Sequence, residues 1–293
     1  MEEHLSYLED LVRRGGPRPS EYNRLNSVFS SIAAQRRKRI LSDPEIEQAW
    51  SRLSDAFYTT ETMQGDATLK PYGYAGDFRI IDRIYQEWIS PEHHLERWDL
   101  FFHTQLAPNA VRNRKRYFLA VLSALGQRNP SAHVLNVASG PGRGVADYLS
   151  NGRAQLSFDC IDHHENAIKY ASALTQRFSE CIRFHCTNVF RFSASRHYDL
   201  IWSAGLFDYL EDRAAKILIQ RLLRFLKPGG ELIIGNFSPD NPTRDYMEFG
   251  DWFLHYRSAD ELERIAEKCG LSAEHVEVHS EPLGVNLFLH ARP

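Results

Sequence analysis

Asp162 closes a short apolar run, Leu156-Ser157-Phe158-Asp159-Cys160-Ile161. It comes about twenty residues after the glycine-rich turn Ser139-Gly140-Pro141-Gly142-Arg143-Gly144, the distance expected between a phosphate or nucleoside turn and its partner acid. A carboxylate there can accept two charge-assisted hydrogen bonds from a ribose diol. The glycines let the backbone approach a ligand closely. Val134–Ala138 leads into the turn as an apolar strand, and a helical pattern follows from about Val145. Strand, glycine turn, helix, strand and acid form the layout of a nucleotide-binding crossover. Counting from Gly140, the sixth position of a dinucleotide fingerprint falls on Val145 rather than glycine.

An open parallel sheet binds ligands beyond the carboxyl ends of its strands, so the residues there are the site candidates. These are Ala138, Ser139, Gly140 and Gly142; Asp162 with His163 and His164; Thr187, Asn188 and Val189; Ser203, Ala204 and Gly205; and Asn236 and Phe237. Asp162 reads as a ribose acceptor or as the N-cap of the next helix. Asn188 reads as an adenine contact or a turn residue. His163 and His164 read as flanking an adenosine or as a solvated helix start.

Upstream, Lys70-Pro71-Tyr72-Gly73-Tyr74-Ala75-Gly76-Asp77-Phe78 is too rich in glycine and tyrosine to be an ordinary linker. An aromatic face attracts a cation within about 6 Å. Tyr74 is the first candidate for such a contact and Tyr72 the second. Arg79 can present a bidentate fork to a carboxylate, and Asp77 can cap the helix it begins. The segment 238–257 carries Asn241, Arg244, Tyr246, Trp252, His255, Tyr256 and Arg257 and reads as an acceptor-side element. The competing reading makes Tyr246, Phe249, Trp252 and Phe253 one packed helix face. His255 is a weaker candidate for a general base. Arg36-Arg37-Lys38-Arg39, and Arg112, Arg114, Lys115 and Arg116, read as solvated helix faces.

The elements that position these residues fall into two patterns. Residues 1–130 are mostly helical by apolar spacing: a first helix stopped by Gly15-Gly16-Pro17, a second over Ser20 to Leu41, a start at Asp43-Pro44, and further helices over Asp77–Glu87 and Val111–Leu125. From His133 onward, short apolar runs alternate with helical ones: Val134–Ala138, Leu156–Ile161, Ile182–Cys186, Asp199–Ser203 and Glu231–Asn236. Such alternation implies parallel strands joined by crossover helices. A helix over Ala259–Lys268 follows, and then two runs, His275–His279 and Val285–His290, around the turn Glu281-Pro282-Leu283-Gly284. The expected fold is α/β: a Rossmann-like, seven-stranded, mostly parallel sheet with helices on both faces and a closing antiparallel pair. A helical N-terminal cap over 1–130 precedes a ligand-binding domain over 131–293.

At 293 residues the chain can bury one large core, or one core and a cap. A formal net charge of −3 gives no field to draw nucleic acid or an anionic membrane. No apolar run approaches the roughly 20 residues of a membrane span, so membrane insertion is not expected. The N-terminus, Met1-Glu2-Glu3-His4, lacks the basic start of a secretory leader. The four cysteines form no CxxC pair, and no cluster has metal-ligand spacing. Buried thiols in a reducing cytoplasm, and no metal, are the expectation. Oligomeric state leaves no sign in the sequence.

Three stretches carry a resemblance. The glycine turn with Asp162, the segment Tyr198–Leu210 and the turn Leu226-Lys227-Pro228-Gly229-Gly230-Glu231-Leu232 resemble class I S-adenosylmethionine (SAM) methyltransferases over about 133–293. In that family's loop frame an acid is usual where Asn136 stands, and a glycine where Ala138 stands. Gly73-Tyr74-Ala75-Gly76-Asp77-Phe78 and Gly235-Asn236-Phe237-Ser238-Pro239-Asp240-Asn241-Pro242-Thr243-Arg244, with Met247-Glu248 and Asp251-Trp252, resemble the bacterial extracellular-factor family of 3-hydroxypalmitic acid methyl ester biosynthesis. More loosely, the chain is similar to SAM-cyclising azetidine-2-carboxylate synthases.

The resemblance implies a SAM-dependent carboxyl O-methyltransferase of secondary metabolism acting on a small or acyl substrate. Two alternatives stay open: intramolecular cyclisation of SAM with release of methylthioadenosine, and a catalytically silent SAM-binding module. A carboxylate is already ionised near neutrality, with a pKa of about 4, so its methylation needs alignment and desolvation but no base. Cyclisation needs a neutral amine and a folded aminobutyrate chain. The implied SAM site comprises Tyr74, Arg79, Ala138, Ser139, Gly140, Gly142, Asp162, His163, Asn188, Val189, Ser203 and Ala204. Tyr74, Asn136 and Ser203 are the catalytic candidates. Tyr72, Phe207, Tyr209, Asn236, Trp252 and Tyr256 are those for a small-molecule substrate.

Overall fold

A computed structural model of the chain describes residues 2–152 and 156–293. Eight helices come first: α1 (Glu2–Arg13), α2 (Tyr22–Arg37), α3 (Asp43–Arg52), α4 (Ser54–Phe57), α5 (Met63–Leu69), α6 (Phe78–Gln86), α7 (Glu96–Thr104) and α8 (Leu106–Arg128). The remainder alternates: β1 (His133–Val137), α9 (Arg143–Ser150), β2 (Ser157–Asp162), α10 (Glu165–Leu174), β3 (Ile182–Cys186), β4 (Tyr198–Ser203), α11 (Asp212–Leu223) and β5 (Leu226–Phe237). It ends with α12 (Arg244–Phe249), α13 (Ala259–Lys268), β6 (Val276–Ser280) and β7 (Asn286–Ala291). No helix among the described residues is long and apolar enough to cross a membrane.

The chain forms two compact units. The first comprises Met1–Asn109 and Asn241–Phe253, the second Ala110–Asp240 and Leu254–Pro293. Most of α8 thus belongs with the sheet, and α12 belongs with the N-terminal helices.

The first unit is held by aromatic packing. The Phe29 ring meets those of Tyr246 and Phe249, each at 4.9 Å between centroids, and Phe57 packs edge-on against Phe249 at 5.4 Å. Trp50 donates its indole N–H to the Phe249 carbonyl at 3.0 Å. Arg36 pairs with Asp43 and Asp251, and Arg37 with Asp245 and Glu248. The basic run expected to face solvent is therefore tied to acids of 241–253 through its first two arginines. Tyr246, Phe249 and Trp252 are buried and Phe253 is exposed, so the packed-face reading holds for the first three. Ser42 and Glu45 form a reciprocal capping box at the start of α3, with Pro44 in the first turn, where its missing N–H costs nothing.

In the second unit the seven strands lie in the order β3-β2-β1-β4-β5-β7-β6. The first five are parallel, and β7 runs antiparallel to both β5 and β6. Alternate residues face opposite ways along a strand, which assigns each side chain to a layer. Leu135, Ile201 and Leu232 pack with Leu218, Leu222, Leu262 and Ile265 of α11 and α13. Val134, Phe158, Leu200 and Ile233 pack with Phe118, Leu122, Val145 and Leu149 of α8 and α9. The strand order reverses between β1 and β4, the switch point at which such sheets open to a ligand.

Candidate active site

The turn after β1 is built from left-handed residues. Ala138, Gly140 and Gly142 have φ of 52°, 55° and 69°. The Ser139 N–H donates to the Ile161 carbonyl at 2.9 Å, and that of Gly142 to the Ser139 carbonyl at 3.2 Å. A Cβ on Gly142 would lie 2.9 Å from the Ala171 Cβ, so glycine is what lets α9 start against α10. A Cβ on Gly140 would meet nothing within 4 Å. The turn is closed on its helix side and open above Gly140.

Asp162 is buried at the end of β2. Its Oδ2 accepts the Gly140 N–H at 3.0 Å and its Oδ1 the His164 N–H at 2.9 Å. It is not the helix cap, since α10 takes His164 at that position. Each oxygen retains a lone pair for a ribose hydroxyl. The His163 imidazole is exposed, with Nδ1 3.7 Å from Asp162 Oδ1. The Asn188 side-chain oxygen accepts the Phe190 N–H at 2.9 Å, which is the turn-residue geometry.

Asn136 is buried on β1, opposite Cys160 of β2. Burial pushes the Cys160 thiol far up, with the Asp159 charge adding to it and a hydrogen bond with Asn136 opposing it. The amide that replaces an acid here thus neighbours a neutral thiol. Ser139 Oγ and Ser203 Oγ are buried without a protein partner, two polar atoms at the ends of β1 and β4.

Beyond β4 the polar groups are densely bonded. Asp208 Oδ1 accepts the Phe237 N–H at 2.6 Å, and its backbone carbonyl accepts the His255 N–H at 2.7 Å. Burial pushes the Asp208 carboxyl up to about 6, against that hydrogen bond and the charges of Arg114 and Arg257. The Arg257 Nη1 donates to the Phe207 carbonyl at 2.9 Å and to Asn236 Oδ1 at 2.7 Å, while its Nη2 lies 2.9 Å from Asp212. Asn236 is fully buried and also donates to the Phe237 and His255 carbonyls. Its amide is part of the scaffold. Phe207 is buried, whereas Tyr209 is exposed.

Residues 134–230 match the family described as methyltransferase domain. The second unit carries a class I SAM-dependent methyltransferase domain.

The chain is 29% identical over 130 residues to a malonyl-[acyl-carrier protein] O-methyltransferase of Bacillus anthracis, covering 43% of this chain and 46% of that one. The chain thus spans about half the length of the curated relative it matches. The fold is similar to that of a possible exported protein from Bordetella parapertussis, with a TM-score of 0.65, 20% identity, and coverage of 94% of this chain and 98% of that one. It is also similar to a putative O-methyltransferase from Nostoc punctiforme, with a TM-score of 0.53, 14% identity, and coverage of 80% and 71%. The cofactor of the methyltransferase domain is SAM, and the open space over Gly140 with the free lone pairs of Asp162 fits it.

The methyltransferase domain itself brings together Asn136, Ala138, Ser139, Gly140, Gly142, Asp162 and His163 at the ends of β1 and β2, and Ser203 and Ala204 at β4. Val189 is buried after β3, and Tyr256 follows the second crossing of the chain into this unit. Tyr72, Tyr74, Arg79 and Trp252 belong to the first unit. There Arg79, expected to offer a fork to a ligand carboxylate, pairs with the buried Asp66 and lies over the Tyr72 ring at 5.5 Å. Asp77 caps α6, accepting the Arg79 and Ile80 N–H groups at 2.8 and 3.1 Å.

One site-facing residue escaped the sequence reading. Arg114, expected on a solvated face, is 6% exposed, and Arg112 is buried as well. Arg114 donates from Nη1 to the Ala204 carbonyl at 2.7 Å. The signal was present: Val111, Arg114, Phe118, Leu122 and Leu125 recur at helical spacing, which places Arg114 on the apolar stripe of α8.

Proposed function

We propose that the protein is a SAM-dependent O-methyltransferase acting on the carboxylate of a small or acyl substrate. The observation that carries the SAM half is the double engagement of Asp162. It holds the Gly140 amide and the His164 amide in place, so its remaining lone pairs are oriented before a ribose arrives. Pre-organisation of this kind lowers the cost of binding.

When bound, SAM supplies an electrophilic methyl group on a sulfonium. The chain has to position that group, exclude water and leave the nucleophile free. At the carboxyl ends of β1 and β4 the polar side chains Asn136, Ser139 and Ser203 are neutral amide and hydroxyl groups. None of the three is a proton acceptor of the strength a hydroxyl or amine substrate would need. A carboxylate needs none, being ionised well below neutrality. The Bacillus anthracis relative, named as an O-methyltransferase of malonyl-acyl-carrier protein, supports the same substrate class. Four free cysteines fit a reducing compartment, and we place the protein in the cytoplasm.

Product analysis tests this reading. The purified protein is incubated with SAM alone and then with short-chain, long-chain and carrier-linked carboxylates. S-adenosylhomocysteine (SAH) and a methyl ester, formed only when a carboxylate is supplied, are the expected products. Methylthioadenosine with a cyclic amino acid from SAM alone would instead establish cyclisation. SAM binding without turnover on any carboxylate would overturn the assignment.

A further inference from the structure

Two buried polar side chains of the first unit have no protein partner. Gln64 on α5 is 3% exposed, and neither its Oε1 nor its Nε2 meets a hydrogen-bonding group among the described residues. Tyr246 on α12 is 8% exposed, and its hydroxyl is likewise unpartnered. Burying a polar group without a hydrogen bond is costly, and native interiors hold few such groups.

The helices bring the two residues to one place. Gln64 and Thr68 lie one turn apart on α5. Tyr246 and Gly250 are one turn apart as well, since the Gly250 N–H donates to the Tyr246 carbonyl at 3.2 Å. A Cβ on Gly250 would be 3.4 Å from Thr68 Oγ1, so the two faces meet there. One turn back, both approach Asp99. Its Oδ1 accepts the Met63 amide at 2.7 Å. Burial raises the Tyr246 phenol, and the Asp99 charge adds to that rise. Gln64 and Tyr246 thus stand at the same end of the contact. Their polar neighbours are committed: Thr68 donates to the Gln64 carbonyl at 2.9 Å, and Asp99 holds the Met63 and Ser90 amides.

The side-chain chemistry selects a ligand group. Gln64 offers a donor and an acceptor side by side in one plane. A primary carboxamide is their complement, because its carbonyl and its N–H also lie side by side. The carbonyl keeps a second lone pair for the Tyr246 hydroxyl, so one such group satisfies all three atoms. A hydroxyl is a single atom and cannot align with both ends of the Gln64 amide. An anion is disfavoured by the Asp99 charge. The rings of Phe29 and Phe101, at 4.9 and 5.3 Å from that of Tyr246, supply an apolar wall.

Resting on the carboxylate reading above, we infer that Gln64 and Tyr246 form a subsite for a primary carboxamide carried by the substrate. The substrate class is then a half-amide, with a carboxylate at one end and a carboxamide at the other.

Calorimetry on the SAH-saturated protein tests this. Half-amides of straight-chain dicarboxylic acids are compared with methyl ketones of equal length, in which a methyl replaces only the amide nitrogen. At one chain length the wild type is expected to prefer the half-amide by roughly 10- to 100-fold, since the ketone leaves the Gln64 oxygen unpaired. Gln64→Leu should abolish that preference. Tyr246→Phe removes one oxygen and should weaken both ligands by about 3- to 10-fold while keeping the preference; it carries the test if the leucine variant does not fold. Equal affinity for half-amide and ketone at every length overturns the inference. So does a preference that survives Gln64→Leu, or an ω-hydroxy acid bound as tightly as the half-amide. Binding of the half-amide with the expected preference, but no methyl ester when SAM replaces SAH, would instead overturn the reading of the reaction.

Discussion

The Asp162 carboxylate accepts the amide of Gly140 at 3.0 Å, so the acid that ends β2 and the turn that follows β1 are one hydrogen-bonded unit. Its second oxygen holds the His164 amide. Asp162 is therefore both a ligand candidate and the brace of the turn on which the ligand would lie.

Asp162→Ala is expected to leave two part-buried amides without an acceptor and to cost about 1–2 kcal/mol in urea unfolding. Asp162→Asn retains one acceptor and should cost less. A variant with wild-type stability would show that these two bonds do not brace the turn.

The two glycines of the turn should respond differently to alanine. Gly140→Ala meets only open space, and its cost is the left-handed φ, about 1 kcal/mol. Gly142→Ala adds a collision with Ala171 and should cost about 2–3 kcal/mol. Equal losses in denaturant titration would place α10 farther from the turn than described.

Much of this site was legible because its chemistry is local. A glycine turn, a strand and a terminal acid are contiguous signals, and β3 and α13 fall over the ranges their patterns indicate. The 241–253 segment was harder. Its aromatic residues spell a helix face, but spacing cannot say which core that face joins, and the answer, Phe29 and Phe57, lies about two hundred residues upstream. Arg114 carries a charge that argues for solvent, but its place on the apolar stripe of α8 buries it.

Phe249→Ala examines that long-range packing. The ring is buried between Phe29 and Phe57, and removing it should cost about 3–5 kcal/mol of the first unit's stability. A loss below about 1 kcal/mol would contradict the assignment of 241–253 to the first unit.

Asp99 predicts a pH dependence in that unit. Burial pushes its carboxyl up to about 6, although it accepts the Met63 and Ser90 amides, each at 2.7 Å. A carboxyl whose folded pKa exceeds its unfolded one holds its proton more tightly when folded. Its ionisation therefore costs about 3 kcal/mol at pH 7, and that cost disappears as the pH falls from 6 to 4. Asp99→Asn cannot ionise. Relative to wild type it should lose stability by about that amount between pH 7 and pH 4, as followed by urea unfolding. A difference that does not vary with pH would show that Asp99 is not raised.

Whether Asp162 holds the nucleoside is decided by a calorimetric titration of SAH into the wild-type protein and into Asp162→Ala under conditions where both are folded. Saturable one-to-one binding to the wild type, weakened at least 10-fold in the variant, is the expected result when a charged acceptor of ribose hydroxyls is lost. Absence of binding to the folded wild type, or equal affinity in both proteins, would contradict it.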